Sequence, residues 1–424
     1  MIWTSHGETQ RHASPPLGGA ASGATCFFSV SLCLCGHIGT YATTHGDGAW
    51  TVNEDKATRY QRLKRQTSLV SLLWSALLLG GLVGTGWSAT LRDAAERIAG
   101  RVAPVSWQPG ATVFCYVLLL SLLNEIAGLS LGFYSGFFLE RRYELSNQTA
   151  GGWLADQAKA FGIGLVLGGG AAELIYWCIR LSPDRWWLAA GMALALLIVG
   201  VTNIAPVVLL PLFYSFKPLD RDALRTRLLA LADRAGARVL GAYEWGLGSK
   251  TRKANAALAG LGGTRRILVS DTMLADYSDD EIEVVLAHEI AHHVHGDIWK
   301  GMLFESALIL AGFYLASRVL HALTGPARLR GVGDVAGLPL LLLAAGAVSV
   351  AMGPVAHAMS RAFERSADRF ALDLTRNPVA FISAMRRLAA QNLAEENPSR
   401  IVRWLFYSHP PIGDRIAAAQ AFKA

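Results

Sequence analysis

Charged residues are missing from several stretches of the chain that are each long enough to cross a bilayer. Arg65 and Arg92 bound 26 uncharged positions, Arg185 and Lys217 bound 31, and Val335 to Ser360 contains no charged residue. About 20 apolar residues in a helix suffice to span the hydrocarbon. Three further stretches carry only isolated charges: Val102–Leu139 with Glu125, Ala160–Ile179 with Glu173, and Trp299–Leu323 with Lys300, Glu305 and Arg318. Six spans are therefore predicted. A soluble helical core is a poor alternative, because core helices rarely exceed about 14 apolar residues without a polar interruption.

Between the spans the periodicity changes. From Asp220 to Ala235 leucines and alanines recur at helical spacing, and Gly236 stands where a helix would end. Arg238–Trp245 and Arg266–Ser270 are β-rich, and Gly260, Gly262 and Gly263 mark a tight connection between the latter and Ala254–Ala257. A small mixed sheet beside a helix is expected. Ser278-Asp279-Asp280-Glu281 is a capping-box pattern that opens another helix, running to about Gly296.

Composition agrees: 52% of residues are hydrophobic and only 17% charged, against roughly 25% charged in soluble domains. The net charge of +7 comes without a Lys/Arg run interleaved with aromatics, so no nucleic-acid partner is expected and the bilayer itself is the natural environment. Lys56, Arg59, Arg62, Lys64 and Arg65 precede the first span, which places that side in the cytoplasm by the rule on flanking positive charges. Alternation then puts the loop with Arg141 and Arg142, residues 217–298 and everything after Arg361 in the cytoplasm. The loops near 90–101, 180–185 and 324–334 fall outside. The five cysteines form no metal-binding spacing and suggest neither a disulfide framework nor thiol chemistry.

The predicted fold is thus mainly α, a polytopic bundle of about six spans with a cytoplasmic α+β domain. Residues 1–55 form a low-complexity extension, expected to be disordered; their apolar run Cys26–Cys35 is too short to span and lacks the basic flank of a signal peptide. A four-span region at 56–216, a soluble segment at 217–298, two more spans at 299–360 and a second soluble segment at 361–424 follow.

The second predicted soluble helix carries His288-Glu289-Ile290-Ala291-His292. Histidines four apart lie one above the other on a helix face, so both imidazoles reach one Zn²⁺. Glu289 follows the first of them directly, where a carboxylate takes a proton from metal-bound water. His295 is about 10.5 Å from His288 along the helix, too far for the same ion. No histidine occupies position 298, so a remote carboxylate is expected as third ligand. Glu364 and Asp368, also four apart, are placed to supply it and to accept the other ring N–H of a ligand histidine. From spacing alone they also read as an ordinary surface pair. Two spans separate His292 from Glu364, which returns both to one membrane side.

These residues, with Tyr143-Glu144-Leu145-Ser146-Asn147-Gln148-Thr149, Thr251-Arg252-Lys253-Ala254-Asn255-Ala256, Thr264-Arg265-Arg266-Ile267, Asp271-Thr272 and Tyr407-Ser408-His409-Pro410-Pro411-Ile412-Gly413-Asp414-Arg415-Ile416, resemble the integral-membrane zinc metalloproteases of the type 1 CAAX prenyl protease family. The resemblance runs over roughly residues 55–424. It implies a gluzincin-type zinc endopeptidase with one Zn²⁺ per chain, bound by His288, His292 and Glu364, with Glu289 as general base and Asp368 behind the ligands. Asn255, flanked by Ala254 and Ala256, would lie on the strand where an extended peptide adds by main-chain hydrogen bonds. His409 and Arg415 would meet the substrate carbonyl or oxyanion. Without the family, His409 before two prolines also reads as a helix-boundary residue.

Six spans are counted where the eukaryotic members have seven, so a closed intramembrane chamber does not follow. Glu125, Glu173, Glu305 and His357 either line a polar cavity or pair between helices. The Ala-, Gly- and Arg-heavy composition fits a bacterium, in whose cell membrane prenylation has no obvious role. The expected partners are therefore membrane-bound, lipidated or hydrophobic peptide or protein substrates. Quality control of membrane proteins is the second enzymatic reading. An inactive membrane receptor or transporter is the non-enzymatic one, and the intact His288, Glu289, His292 and Glu364 speak against it.

Overall fold

The computed structural model describes residues 49–423 except 261–264, with only the backbone at 49–55. The extension expected up to residue 48, its Cys26–Cys35 run, and Gly262 and Gly263 of the strand connection lie outside the described residues. Helix α1 (Ala49–Thr85) already includes residues assigned to the extension, because the basic positions from Lys56 onward continue without a break into the first apolar run.

After α1 come α2 (Trp87–Val102), α3 (Gln108–Phe133), α4 (Leu139–Arg142), α5 (Ala150–Leu181) and α6 (Trp186–Val208). One π turn, Tyr134–Phe138, joins α3 to α4 so that they form a single rod. The soluble part adds β1 (Phe216–Pro218), α7 (Asp222–Arg234), β2 (Ala242–Trp245), β3 (Ala256–Ala259), β4 (Arg266–Ser270), α8 (Asp271–Asp276) and α9 (Asp279–Val294). Two long helices, α10 (Asp297–Leu323) and α11 (Leu338–Thr375), are followed by α12 (Pro378–Gln391), α13 (Arg400–Phe406) and α14 (Ile412–Gln420).

Six helices among the described residues are long and apolar enough to cross a membrane: Lys56–Thr85, Val105–Arg142, Ala150–Leu181, Trp186–Val208, Asp297–Leu323 and Val335–Thr375. The fourth span is shorter as a helix than as an uncharged run. Proline lacks the N–H that a helix interior needs, and α6 stops at Val208 between Pro206 and Pro211. The rest of that run then turns into strand β1. Helix α2 carries Arg92, Asp93, Glu96, Arg97 and Arg101, and is too charged to span.

Two large cores result, with a smaller apolar cluster of Tyr60, Leu139, Tyr143 and Leu145 between them. One lies in the bundle, built from α3, α5, α6, α10 and α11 around Tyr116, Tyr176, Trp186 and Leu320. The other lies in the soluble part around Leu224, Leu228, Ile267, Leu286 and Phe381. The sheet runs β1-β2-β4-β3, with β2 and β4 parallel and the outer pairs antiparallel, so β3 is an edge strand. Helix α9 packs between β3 and helices α11 and α12, and is buried almost all round. Its capping box is formed as the sequence predicts: Ser278 Oγ accepts from Glu281 N–H, and Glu281 accepts from Ser278 N–H at 2.8 Å. The second Glu281 oxygen accepts from Ser383 Oγ on α12, so the cap also docks the helix.

Polar contacts fix which ends lie together. At one end, Lys64 pairs with Glu140 at 2.9 Å, Lys253 with the same carboxylate at 2.9 Å, and Arg65 with Glu395. The basic start of the first span and the soluble part are therefore on one side. At the other end, Arg330 pairs with Asp93 and Glu96, and Arg92 with Asp334 at 2.5 Å. The Asp334 side chain also accepts from the Arg330 and Ala336 N–H groups. Asp334→Ala leaves the buried Arg92 with Asp93 as its one carboxylate partner and is expected to cost about 1–3 kcal/mol for the donor left unsatisfied, read as a lowered unfolding temperature in detergent. A change below about 1 kcal/mol would show that the pair does not anchor this end.

Candidate metal centre

The centre forms where α9 crosses α11. His288 and His292 project from the same face of α9, their rings 5.0 Å apart and nearly perpendicular. Glu364 approaches from α11: its Oε2 lies 3.3 Å from His288 Nε2 and its Oε1 3.4 Å from His292 Nε2. The three ligand atoms lie within 4.8 Å of one another.

Each histidine uses its other ring nitrogen on a carboxylate. His288 Nδ1 faces Asp368 Oδ1 at 2.9 Å, and His292 Nδ1 faces Asp297 Oδ2 at 3.1 Å. Such contacts fix the tautomer that leaves Nε2 bare for a cation. The separations suit an ion. Zinc bonds of about 2.0–2.1 Å arranged tetrahedrally set ligand atoms roughly 3.3 Å apart. Glu364 Oε2 is moreover buried without a hydrogen-bond partner, a costly state that a cation relieves.

Asp297 is the residue that sequence reasoning missed. It opens α10, and it reaches back to His292 only because Gly296 turns the chain at φ +68°, a conformation that suits glycine. Lys300 Nζ pairs with its second oxygen at 3.0 Å. A glycine-aspartate pair directly after the histidine helix was the available signal.

Charge follows the geometry. Burial pushes both histidines down, but the adjoining carboxylates outweigh it. His292 is carried up to about 10, chiefly by Asp297 and then Glu364, and His288 is raised by Glu364 and Asp368. Glu289, half-buried beside them, has its carboxyl pushed up by burial, while the two histidines pull it down. A base above the ordinary carboxylate range is better matched to a proton from water.

His409 and Arg415 come from the C-terminal motif. His409 Nε2 lies 3.2 Å from Glu364 Oε1, and its Nδ1 contacts Ser408 Oγ at 2.9 Å. Arg415, on α14, is directed at the carboxylates of α11. Its side chain is 2% exposed, grips Asp368 through Nε at 2.8 Å and Nη2 at 2.5 Å, and comes within 3.8 Å of Glu364.

The remaining motifs meet at the edge strand. Ser146 and Thr251 form an antiparallel bridge, Asn147 N–H donates to Lys250 O, and Arg252 N–H to Leu145 O. The segment after the second span is thus paired with the segment leading into β3. Thr272 Oγ1 donates to Lys253 O, and Asp271 accepts from Leu247 and Gly248 N–H. Asn255 O accepts from Ser270 N–H, so by the two-residue repeat the backbone groups of Ala256 and Leu258 face away from β4. Leu258 O is taken by His293 Nε2 at 2.8 Å. Ala254 is buried just ahead of the strand.

Of the intramembrane acids, Glu173 pairs with Arg180 on its own helix, whereas Glu125 and Glu305 form no ion pair among the described residues. His357 Nδ1 is buried without a partner.

Comparison with known proteins places this geometry. Residues 218–423 match peptidase family M48, and residues 52–215 match the CAAX prenyl protease N-terminal family, described as five membrane helices. That range holds four spans here, and α2 as a shorter fifth helix. The chain is 32% identical over 309 residues to the uncharacterized metalloprotease YhfN of Bacillus subtilis, covering 72% of each chain. It is 28% identical over 346 residues to CAAX prenyl protease 1 of Saccharomyces cerevisiae, covering 76% of each. The crystal structure of S. mikatae Ste24p shares the fold, with a TM-score of 0.76 at 23% identity over 93% of this chain and 94% of that one.

Asp297→Ala removes the anchor of His292, and zinc affinity is expected to fall about 10–100-fold in competition with a fluorescent chelator. Affinity equal to that of the unaltered chain would exclude Asp297 from the centre.

Proposed function

Since the chain belongs to peptidase family M48 and is a multi-pass membrane metalloprotease of the CAAX prenyl protease type, we propose that it is a gluzincin-type endopeptidase. In this reading it holds one zinc ion through His288, His292 and Glu364 and cleaves membrane-bound or hydrophobic peptides. The observation that carries the reading is the convergence of both Nε2 atoms and the Glu364 carboxylate, with each Nδ1 held by its own aspartate.

An extended substrate adds to the free edge of β3 through the main chain of Ala256, beside Asn255, with Ala254 holding the approach to the strand. Bound zinc supplies a Lewis acid for the scissile carbonyl and its attacking water. Glu289 takes the proton from that water and returns it to the leaving amine. His409, beside Glu364 at the mouth, donates to the carbonyl oxygen as negative charge develops there. Asp368 and Asp297 keep the ligand imidazoles in one tautomer, and Arg415 fixes Asp368. No specific observation favours the quality-control role or an inactive receptor.

Two expectations follow. Glu289→Gln should bind zinc as the unaltered chain does yet cleave a hydrophobic model peptide at least about 10³-fold more slowly, since it removes the base but no ligand; undiminished cleavage would refute the mechanism. The basic residues before the first span argue for a centre on the cytoplasmic side. In intact cells, an impermeant maleimide should label Asp184→Cys but reach Arg238→Cys only after permeabilisation. The opposite order would invert the topology.

A further inference from the structure

A cavity of about 460 Å³ opens between α11 and α13, lined by Ala358, Arg361, Arg365, Arg400, Arg403 and Trp404. Four guanidinium groups around one space repel each other unless something anionic sits among them. The protein supplies little compensation. Among the described residues, Arg403 alone of the four has a carboxylate partner, Asp414 at 3.0 Å. Arg361 is buried and spends Nη1 on two carbonyls, those of Arg403 and Tyr407. Arg365 and Arg400 are exposed, with no ion pair among the described residues. An unneutralised arginine cluster with planar, fork-shaped donors suits phosphate.

The setting points to where that phosphate comes from. Arg361 is the first charge after the uncharged run Val335–Ser360, so the cavity lies where α11 leaves the hydrocarbon. Helix α13 buries none of its residues. It presents Ile401, 71% exposed, and Trp404, 55% exposed, beside its two arginines. Apolar and tryptophan side chains next to cations are the composition of a helix lying at the headgroup level. We propose that this cavity is a binding site for the phosphate headgroup of an anionic phospholipid. Arg365 and Arg400 clasp the phosphate from its open side, Arg361 and Arg403 face it from within, and Trp404 and Ile401 lie along the acyl chains.

None of the four arginines is among the metal-centre residues, and the site is tested by binding alone, so its failure leaves the protease reading untouched. The full chain is placed in nanodiscs containing phosphatidylcholine and phosphatidylglycerol, and retained lipids are counted by native mass spectrometry. Phosphatidylglycerol should be enriched, and the Arg365→Gln/Arg400→Gln variant should hold it about thirtyfold more weakly, each arginine near an anionic surface being worth about a factor of five. An unchanged unfolding temperature and zinc content verify that the variant is folded. The proposal fails if both lipids are retained equally, or if Arg238→Gln/Arg386→Gln, exposed arginines that do not line the cavity, produces the same loss. It also fails if glycerol phosphate displaces the lipid at equal concentration, which would mark a site for soluble phosphate.

Discussion

Asp368 is the single side chain on which the centre turns. Its two oxygens meet His288 on α9 and Arg415 on α14 while its own backbone belongs to α11, so one carboxylate sets the spacing of three helices. Burying such a group is costly unless every charge nearby is answered. The three carboxylates Glu289, Glu364 and Asp368 are balanced in formal charge by Arg415 and a divalent ion. Without an ion the cluster keeps an excess of negative charge, the same carboxylate field that raises both histidines against the effect of burial. The metal thus completes an electrostatic unit that the helix crossing has already assembled.

The parts of this arrangement that were legible in sequence are those set by periodicity. His288 and His292 share a face because a helix repeats every 3.6 residues, and Glu364 returns to them because two spans lie between. The capping box fixed where α9 starts. What could not be read depends on contacts between distant segments. Asp297 reaches His292 through the turn at Gly296, and Arg415 is drawn inward by Asp368 once α14 docks. The pairing of Leu145–Asn147 with Lys250–Arg252 joins residues about a hundred positions apart, which no local pattern encodes. The early end of α6 was visible in Pro206 and Pro211, but hydrophobicity alone outvoted them.

The membrane bundle and the soluble part each have their own apolar core and meet through a small apolar cluster around Tyr60, Leu139, Tyr143 and Leu145 and through polar contacts. Lys253, in the segment leading to β3, shares Glu140 with Lys64 of the first span. Lys250 is buried against Asp156 of α5 at 3.2 Å, under the rings of Phe213 and Tyr214. Both bridges end beside the edge strand. The strand's position relative to the bundle is therefore held by a few ion pairs, which are directional, together with a small apolar cluster.

The outer edge of β3 has a further consequence. Main-chain groups read backbone, and backbone is available only in a segment that has no secondary structure of its own. With Leu258 O already occupied by His293, the edge offers a short, one-sided ladder, too brief to template the pairing of whole sheets between molecules. A folded helix passing along the membrane surface has nothing to bond there, whereas a frayed end or an unstructured tail does. In the proposed reading, selection would begin with the local unfolding of the substrate, before any side chain is inspected.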